Sequence, residues 1–380
     1  MAGGAIRQKG ETSVVKDVKL GVIVSLVMLA SCQAPGNSKT FLRAQTSNSQ
    51  NLVSIPAGDW SDYDLEDVSA KHSVLSTIGF YNLLAYFRTH EPISENVVIG
   101  VIDEGVVNPE HPDYEGRVTL VPGADKKMTR SRHGQDVVGL IAASAQNGMG
   151  VDGVAGDFTK TIYSPIRDFS GTELAAAVED LIRRRVDIIH ISMAATMRGR
   201  RIEGVYYPLA TIPPFLDLFN KAIEHNIVVT IAAGNSGMRF DDMSEVPGGL
   251  FVVGSVNEDR TRVENSNYGK LVNFLVDLSG GVYTLSLKGS KKVVRRETGT
   301  SHALSIAVGA IAHAIGYLKT RGVQYSPGDI EELILQSSDI EPQLKAVSRY
   351  GAVVNYANLP AVLKRFADTA DVRKRAVVFN

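Results

Sequence analysis

Four short stretches of the chain hold the side chains that acid–base and nucleophilic chemistry needs. Ser301 lies in Gly299-Thr300-Ser301-His302-Ala303, directly before an apolar run. A serine at a helix start is commonly a cap. There its backbone N–H and the helix dipole can also stabilise negative charge developing on an attacked carbonyl oxygen. His133 lies in Arg132-His133-Gly134-Gln135-Asp136 and precedes Val137, Val138, Leu140 and Ile141, so the pattern predicts a core-packed helix that holds the imidazole still. A surface or capping histidine is the plainer reading of that motif alone. Asp103 closes Val101-Ile102-Asp103-Glu104-Gly105, a carboxylate at the end of a buried run, where a turn-forming aspartate is the commoner meaning. Asn235 follows Ala232-Ala233-Gly234, as a turn residue or as an amide donor to an oxyanion.

The elements that must position these residues alternate between two periods. Residues 96–103 form a short β-branched run closed by Gly105, and 187–193, 227–232 and 250–256 repeat the theme, with 161–166 a weaker candidate. Continuous apolar runs of this length mark strands covered on both faces. Between them, Leu174, Val178, Leu181 and Ile182 share one helical face, with Arg183, Arg184 and Arg185 complementing the C-terminal end. Phe215, Leu218, Phe219, Ala222 and Ile223 do the same. Residues 303–314 are apolar nearly all round and predict a central buried helix, while 283–298 predict an antiparallel hairpin around Gly289-Ser290. The alternation predicts an α/β fold of three layers, a mostly parallel central sheet with helices on both faces, in one catalytic domain over residues 72–380.

Composition excludes several classes. In 380 residues, 40 basic against 41 acidic side chains leave a net charge of −1, without the basic footprint of a nucleic-acid binder. A single cysteine excludes an internal disulfide and a cysteine-based zinc site. No run of 18 apolar residues is present, so no conventional membrane span is expected. The N-terminal region does carry Arg7, Lys9, Lys16 and Lys19 ahead of an apolar stretch at 20–30 that is too short to span but suits a signal peptide. Residues 33–51, rich in Ser, Asn, Gln and Thr, read as a solvated tether.

Two resemblances follow. Leu29-Ala30-Ser31-Cys32 resembles a bacterial lipobox, which implies a signal peptide over 1–31, a lipidated Cys32 as mature N-terminus, a tether over 32–71, and an exported, lipid-anchored envelope protein, at the outer membrane in a diderm source. An ordinary signal peptide with an incidental cysteine is the alternative. The four motifs together, in the order Asp, His, Ser, resemble the subtilisin-like serine proteases (subtilases, peptidase S8). NPEHPD at 108–113, GVDGVA at 150–155, Asn267-Tyr268-Gly269 and the stretch from Tyr350-Gly351 to Asn355 add to the likeness. The resemblance implies a catalytic triad of Asp103, His133 and Ser301 with Asn235 in the oxyanion hole. It further implies a substrate strand paired along Ser192, Met193 and Ala194, and a side-chain pocket lined by Ala232, Ala233 and Gly234. The implied activity is serine endopeptidase cleavage of a protein or peptide by a monomer.

The departures from the family pattern set a second expectation beside the first. Gln135 and Asp136 stand where a Thr and a second His are usual, His302 and Ser305 where a Met and a Pro are usual, and Met193-Ala194 where Leu-Gly is usual. A catalytically weak subtilase fold that binds or processes one dedicated partner is therefore the alternative. No cofactor is required. Structural calcium near Asn147 is weakly supported, a structural turn being the plainer reading, and no metal-binding residues are assigned. A cleaved folding pro-domain is not expected, since about forty residues separate Cys32 from the start of the resemblance.

Overall fold

The computed structural model describes residues 73–94, 97–124, 127–128, 131–166, 171–197, 208–241, 246–285 and 294–378, with short strands at 24–27 and 53–54. Cys32 and the Gly289-Ser290 turn lie outside the described residues.

Helices α1 (Ser73–Thr77) and α2 (Phe80–Thr89) lead into β1 (Val97–Glu104). Then follow β2 (Val118–Leu120), α3 (His133–Ala142), β3 (Thr159–Ile166), α4 (Gly171–Arg183) and β4 (Ile188–Ile191). The second half runs α5 (Pro213–Glu224), β5 (Val228–Ala232), β6 (Leu250–Val256), β7 (Phe274–Asp277) and the hairpin β8 (Val282–Leu285) and β9 (Val294–Glu297). It closes with α6 (Thr300–Thr320), α7 (Pro327–Ser337), β10 (Asp339–Ile340), β11 (Ala352–Val353) and α8 (Leu359–Val378).

Nine of these strands form one sheet in the order β10-β11-β7-β6-β5-β4-β1-β3-β2, parallel throughout except for the β10–β11 edge. The order reverses between β1 and β4, because β2 and β3 build outward on one side and β5, β6 and β7 on the other. Such a reversal leaves a crevice at the carboxyl ends of the strands, where α/β sheets place their ligands.

Side-chain alternation splits the core into two layers. Val97, Ile99 and Val101 of β1 enter one, beneath α3 and α6; Ile102 enters the other, with Leu174, Val178 and Leu181 of α4 and Phe215 and Phe219 of α5. The three-layer expectation holds. Helix α6 is longer than 303–314. By length and composition it passes for a membrane-crossing helix, yet Thr300 through Leu318 are all buried and make it the central core helix.

The hairpin also holds, with Val282 opposite Glu297 and Leu285 opposite Val294. The strand β7 is an addition that the sequence does not announce. Asn273, just before it, accepts from the Val252 N–H (2.7 Å) and donates to the Leu250 carbonyl (2.8 Å), so its amide imitates a backbone pairing. Two peripheral pairings complete the picture, both antiparallel: Val24–Val27 with Ala194–Met197, and Val53–Ser54 with Lys127–Met128.

Candidate active site

The reversal crevice collects the residues that the motifs single out. Asp103 is fully buried at the end of β1, and His133 is the first residue of α3. The two meet: His133 Nδ1 lies 2.9 and 3.0 Å from the two carboxylate oxygens of Asp103. That contact assigns the proton to Nδ1 and leaves Nε2 as the acceptor in the neutral ring. Nε2 is buried and has no hydrogen-bond partner among the described residues.

Ser301 stands in the first turn of α6, whose N-cap is Gly299 at φ 120°, so the serine is not the cap. Its hydroxyl donates to the Ser192 carbonyl at 3.3 Å rather than to His133. The two motifs are nonetheless neighbours, since the ring of His302 lies 5.8 Å from that of His133, centroid to centroid. Catalytic hydrogen bonds are commonly long in a protein without substrate and tighten when one binds.

The loop after β5 is braced from two directions. Asn235 Oδ1 accepts from the Thr300 backbone N–H (3.0 Å) and from the Thr300 hydroxyl (2.8 Å). With its oxygen held twice, the amide presents Nδ2 as its remaining donor. Thr300 Oγ1 in turn accepts from the Gly234 N–H at 3.2 Å. From the other side, Asn267 accepts from the N–H groups of Ser236 and Met238 and donates to the Ala233 carbonyl.

The expected pocket residues are present with a restriction. Ala232 is sealed into one core layer and Ala233 into the other, so these two can offer a substrate only backbone. Ser192 and Met193 are buried after β4, and Ala194 opens the strand that pairs with Val24–Val27.

Electrostatics favour an anchored imidazole. Burial pulls the His133 pKa down, but the Asp103 charge and hydrogen bond, helped by Asp136 and Glu104, outweigh it and leave it above the ordinary histidine value. Burial pushes the Asp103 carboxyl up, with His133 opposing. Glu104 is pushed up to about 7, chiefly by burial, against a hydrogen bond from Ser131 and with the Asp103 charge adding to it.

Near Asn147, the Asp113 carboxylate already receives the Asn147 Nδ2–H (2.8 Å) and the Val151 N–H (3.1 Å). Asn147 presents a nitrogen there, not an oxygen, and no group of three or more potential ligand side chains occurs among the described residues.

Sequence reasoning missed three supports. Tyr163 donates to the carbonyls of Glu104 (2.8 Å) and Gly105 (3.1 Å). Thr300 holds the Asn235 amide. Asp136, which stands where a second histidine is usual, accepts from Thr284 of β8 at 3.0 Å and so ties α3 to the hairpin. Thr300 had a sequence signal in its place beside Ser301, and Asp136 in its departure from the usual histidine, but neither signal gave the partner.

Relatives share this frame. Subtilisin-like protease 2 of Trichophyton verrucosum is 27% identical over 246 residues, 62% of this chain and 54% of that protein. Subtilisin-like protease 2 of Trichophyton rubrum is 26% identical over a stretch of the same length and coverage. The chain thus matches about half the length of these relatives. Among solved structures, the prenylagaramide maturation protease PagA superposes at a TM-score of 0.56 with 22% identity, covering 75% of this chain and 98% of its own. A lanthipeptide protease does so at 0.56 with 19% identity, covering 76% and 96%. The profile of the subtilase family, peptidase S8, matches residues 94–357. With that match over most of the chain, on a nine-stranded sheet that brings Asp103 onto His133, the chain belongs to the subtilase family.

Proposed function

We propose that the protein is a serine endopeptidase. The observation that carries this reading is the contact of His133 Nδ1 with both Asp103 oxygens, which leaves a buried Nε2 without a partner among the described residues, beside the first turn of α6. Ser301 attacks the peptide carbonyl while His133 takes its proton, and the imidazolium then delivers that proton to the leaving amine. Asp103 keeps the tautomer and stabilises the imidazolium. Nδ2 of Asn235 and the Ser301 N–H receive the oxyanion. Water then cleaves the acyl-enzyme with the same base. The edge running from Ser192 through Ala194 receives an extended substrate as an added strand.

The test is hydrolysis of casein, together with labelling by a serine-directed phosphonate. Ser301→Ala and His133→Ala should each abolish most turnover, and the double variant should be little worse, because the two act as a unit. Equal cleavage by wild type and Ser301→Ala removes the reading.

A second reading, a weak subtilase fold serving one dedicated partner, draws support from the Ser301 hydroxyl being turned to Ser192. Labelling by the phosphonate without casein cleavage would favour it.

The lipobox-like Leu29–Cys32 supports export and anchoring in a bacterial envelope through Cys32; the same reading takes the enzyme as a monomer that needs no cofactor. Processing before Cys32 would also remove Val24–Val27 and free the 194–197 edge. Cys32→Ala should release the protein from membranes or leave it unprocessed. Mass spectrometry showing unmodified Cys32 on the mature chain would refute this part.

A further inference from the structure

Glu104 follows the candidate catalytic aspartate directly, and its side chain is only 7% exposed. A buried carboxyl beside another carboxylate is costly, so its retention needs a reason. The Ser131 hydroxyl lies near enough to favour its charged form. Ser131 lies two residues before His133, and its Oγ also accepts the His133 backbone N–H, at 3.4 Å. A second tie joins the same segments, since the Val106 N–H donates to the Ser131 carbonyl at 3.1 Å. A third feature is steric. Gly105 has φ 82°, and a Cβ there would fall 2.1 Å from the Ser131 carbonyl oxygen. The segments 104–106 and 131–133 therefore lie in direct contact, with Glu104 at the polar end of the seam.

We infer that Glu104 is a positioning residue for His133, acting through Ser131. The carboxylate fixes the direction of the Ser131 hydroxyl hydrogen, which turns an oxygen lone pair toward the first N–H of α3 and sets the start of the helix that carries the imidazole. The inference rests on the triad reading above but asks more of the site, namely that a second carboxyl, able to change charge near neutrality, governs the base. The groups facing Glu104 are Asp103 from its own strand, Ser131 and His133 from the α3 entry, and the Tyr163 hydroxyl of β3, which binds its carbonyl. Only Asp103 and His133 among them titrate below the phenol range. Ionisation of Glu104 therefore adds negative charge beside His133 and favours the imidazolium.

Two measurements separate this inference from the triad reading. The first is the pH dependence of Ser301 labelling by a fluorophosphonate. In Glu104→Gln, which keeps the side-chain volume and a hydrogen-bonding group, the acid limb should move down by about half a pH unit while the plateau stays within a few-fold. Glu104→Ala and Ser131→Ala should each lower the plateau about ten-fold, and the double variant should be no worse than either, as coupled residues behave. The second is NMR titration of the His133 imidazole in Ser301→Ala, where Glu104→Gln should lower the His133 pKa whether or not the chain has activity. Superimposable labelling profiles, multiplying alanine effects, or an unmoved His133 titration would overturn the inference. An unlabelled wild type with a shifted titration would instead remove the triad reading, and with it the catalytic meaning of the inference, while showing that Glu104 does act on the His133 imidazole.

Discussion

At the scale of single residues, the proposed mechanism makes His133 set the acid side of activity. Only its neutral form accepts the Ser301 proton, and the Asp103 charge and hydrogen bond hold its pKa above the ordinary value of about 6.5 against the pull of burial. Casein hydrolysis should therefore fall off with a midpoint above pH 6.5; a midpoint near 5 would mean that His133 is not the base. Asn235→Ala should keep substrate binding and lower kcat about 10²–10³-fold, the loss expected for one oxyanion donor. Thr300→Val, which keeps the backbone N–H bond to the Asn235 oxygen but removes the hydroxyl bond, should lower kcat by roughly 5- to 30-fold, or about 1–2 kcal/mol for a lost buried hydrogen bond. Unchanged kcat in Thr300→Val would mean the amide does not need the Thr300 hydroxyl as an anchor. The candidate triad and Asn235 were legible because each role admits few residue types and each sits where a strand ends or a helix begins. Glu104, Ser131 and Tyr163 were not legible, because their roles exist only once segments up to 59 residues apart come into contact.

At the scale of elements, the fit of α3 against the strand ends determines where the imidazole stands. Gly134 leaves no room for a side chain: an added Cβ would lie 2.1 Å from the Tyr163 hydroxyl, 2.7 Å from its Cζ and 2.8 Å from the Glu104 carbonyl. Gly134→Ala should lose roughly 1–3 kcal/mol of stability, as overpacked cores do, and lose activity beyond that. Tyr163→Phe should not rescue it, because the ring carbon and the carbonyl remain in the way. Denaturant unfolding of the single and double variants checks both statements. The alternation of buried strands with amphipathic helices was legible from period alone, including the α4 face and the hairpin centred near residue 290. The run before β7 was not, because Asn273 interrupts the apolar pattern with a side chain that substitutes for backbone.

For the whole molecule, buried histidines and buried carboxyls bound stability from opposite sides. Burial lowers His313 to about 4, although its bond to the Gly309 carbonyl and the Asp157 charge oppose this. The unfolded chain takes up a proton near 6.5 that the folded chain refuses, so this contribution is complete above pH 6.5 and is lost as pH falls toward 4. For Glu104, at about 7 in the fold, the contribution is complete below its ordinary value near 4.5 and is lost as pH rises through 7. Melts of Ser301→Ala with and without a second change isolate each group. Against His313→Gln, the parent should lose ground on acidification by up to about 1.4 kcal/mol per pH unit. Against Glu104→Gln, it should lose ground on the alkaline side. Parallel curves in either comparison would refute the assignment.

Helix α6 is both the spine of the core and, in its first turn, the mount of Ser301. Loosening of the core layer around α6 therefore moves Ser301, and heat should end the proposed activity and the packing of that layer in one event. If the chain is the proposed endopeptidase, each molecule that unfolds in a warming solution is a substrate for those still intact. Loss of wild-type protein near the midpoint should accordingly accelerate with protein concentration, as a reaction between two molecules does, while Ser301→Ala should melt at a rate that dilution leaves unchanged.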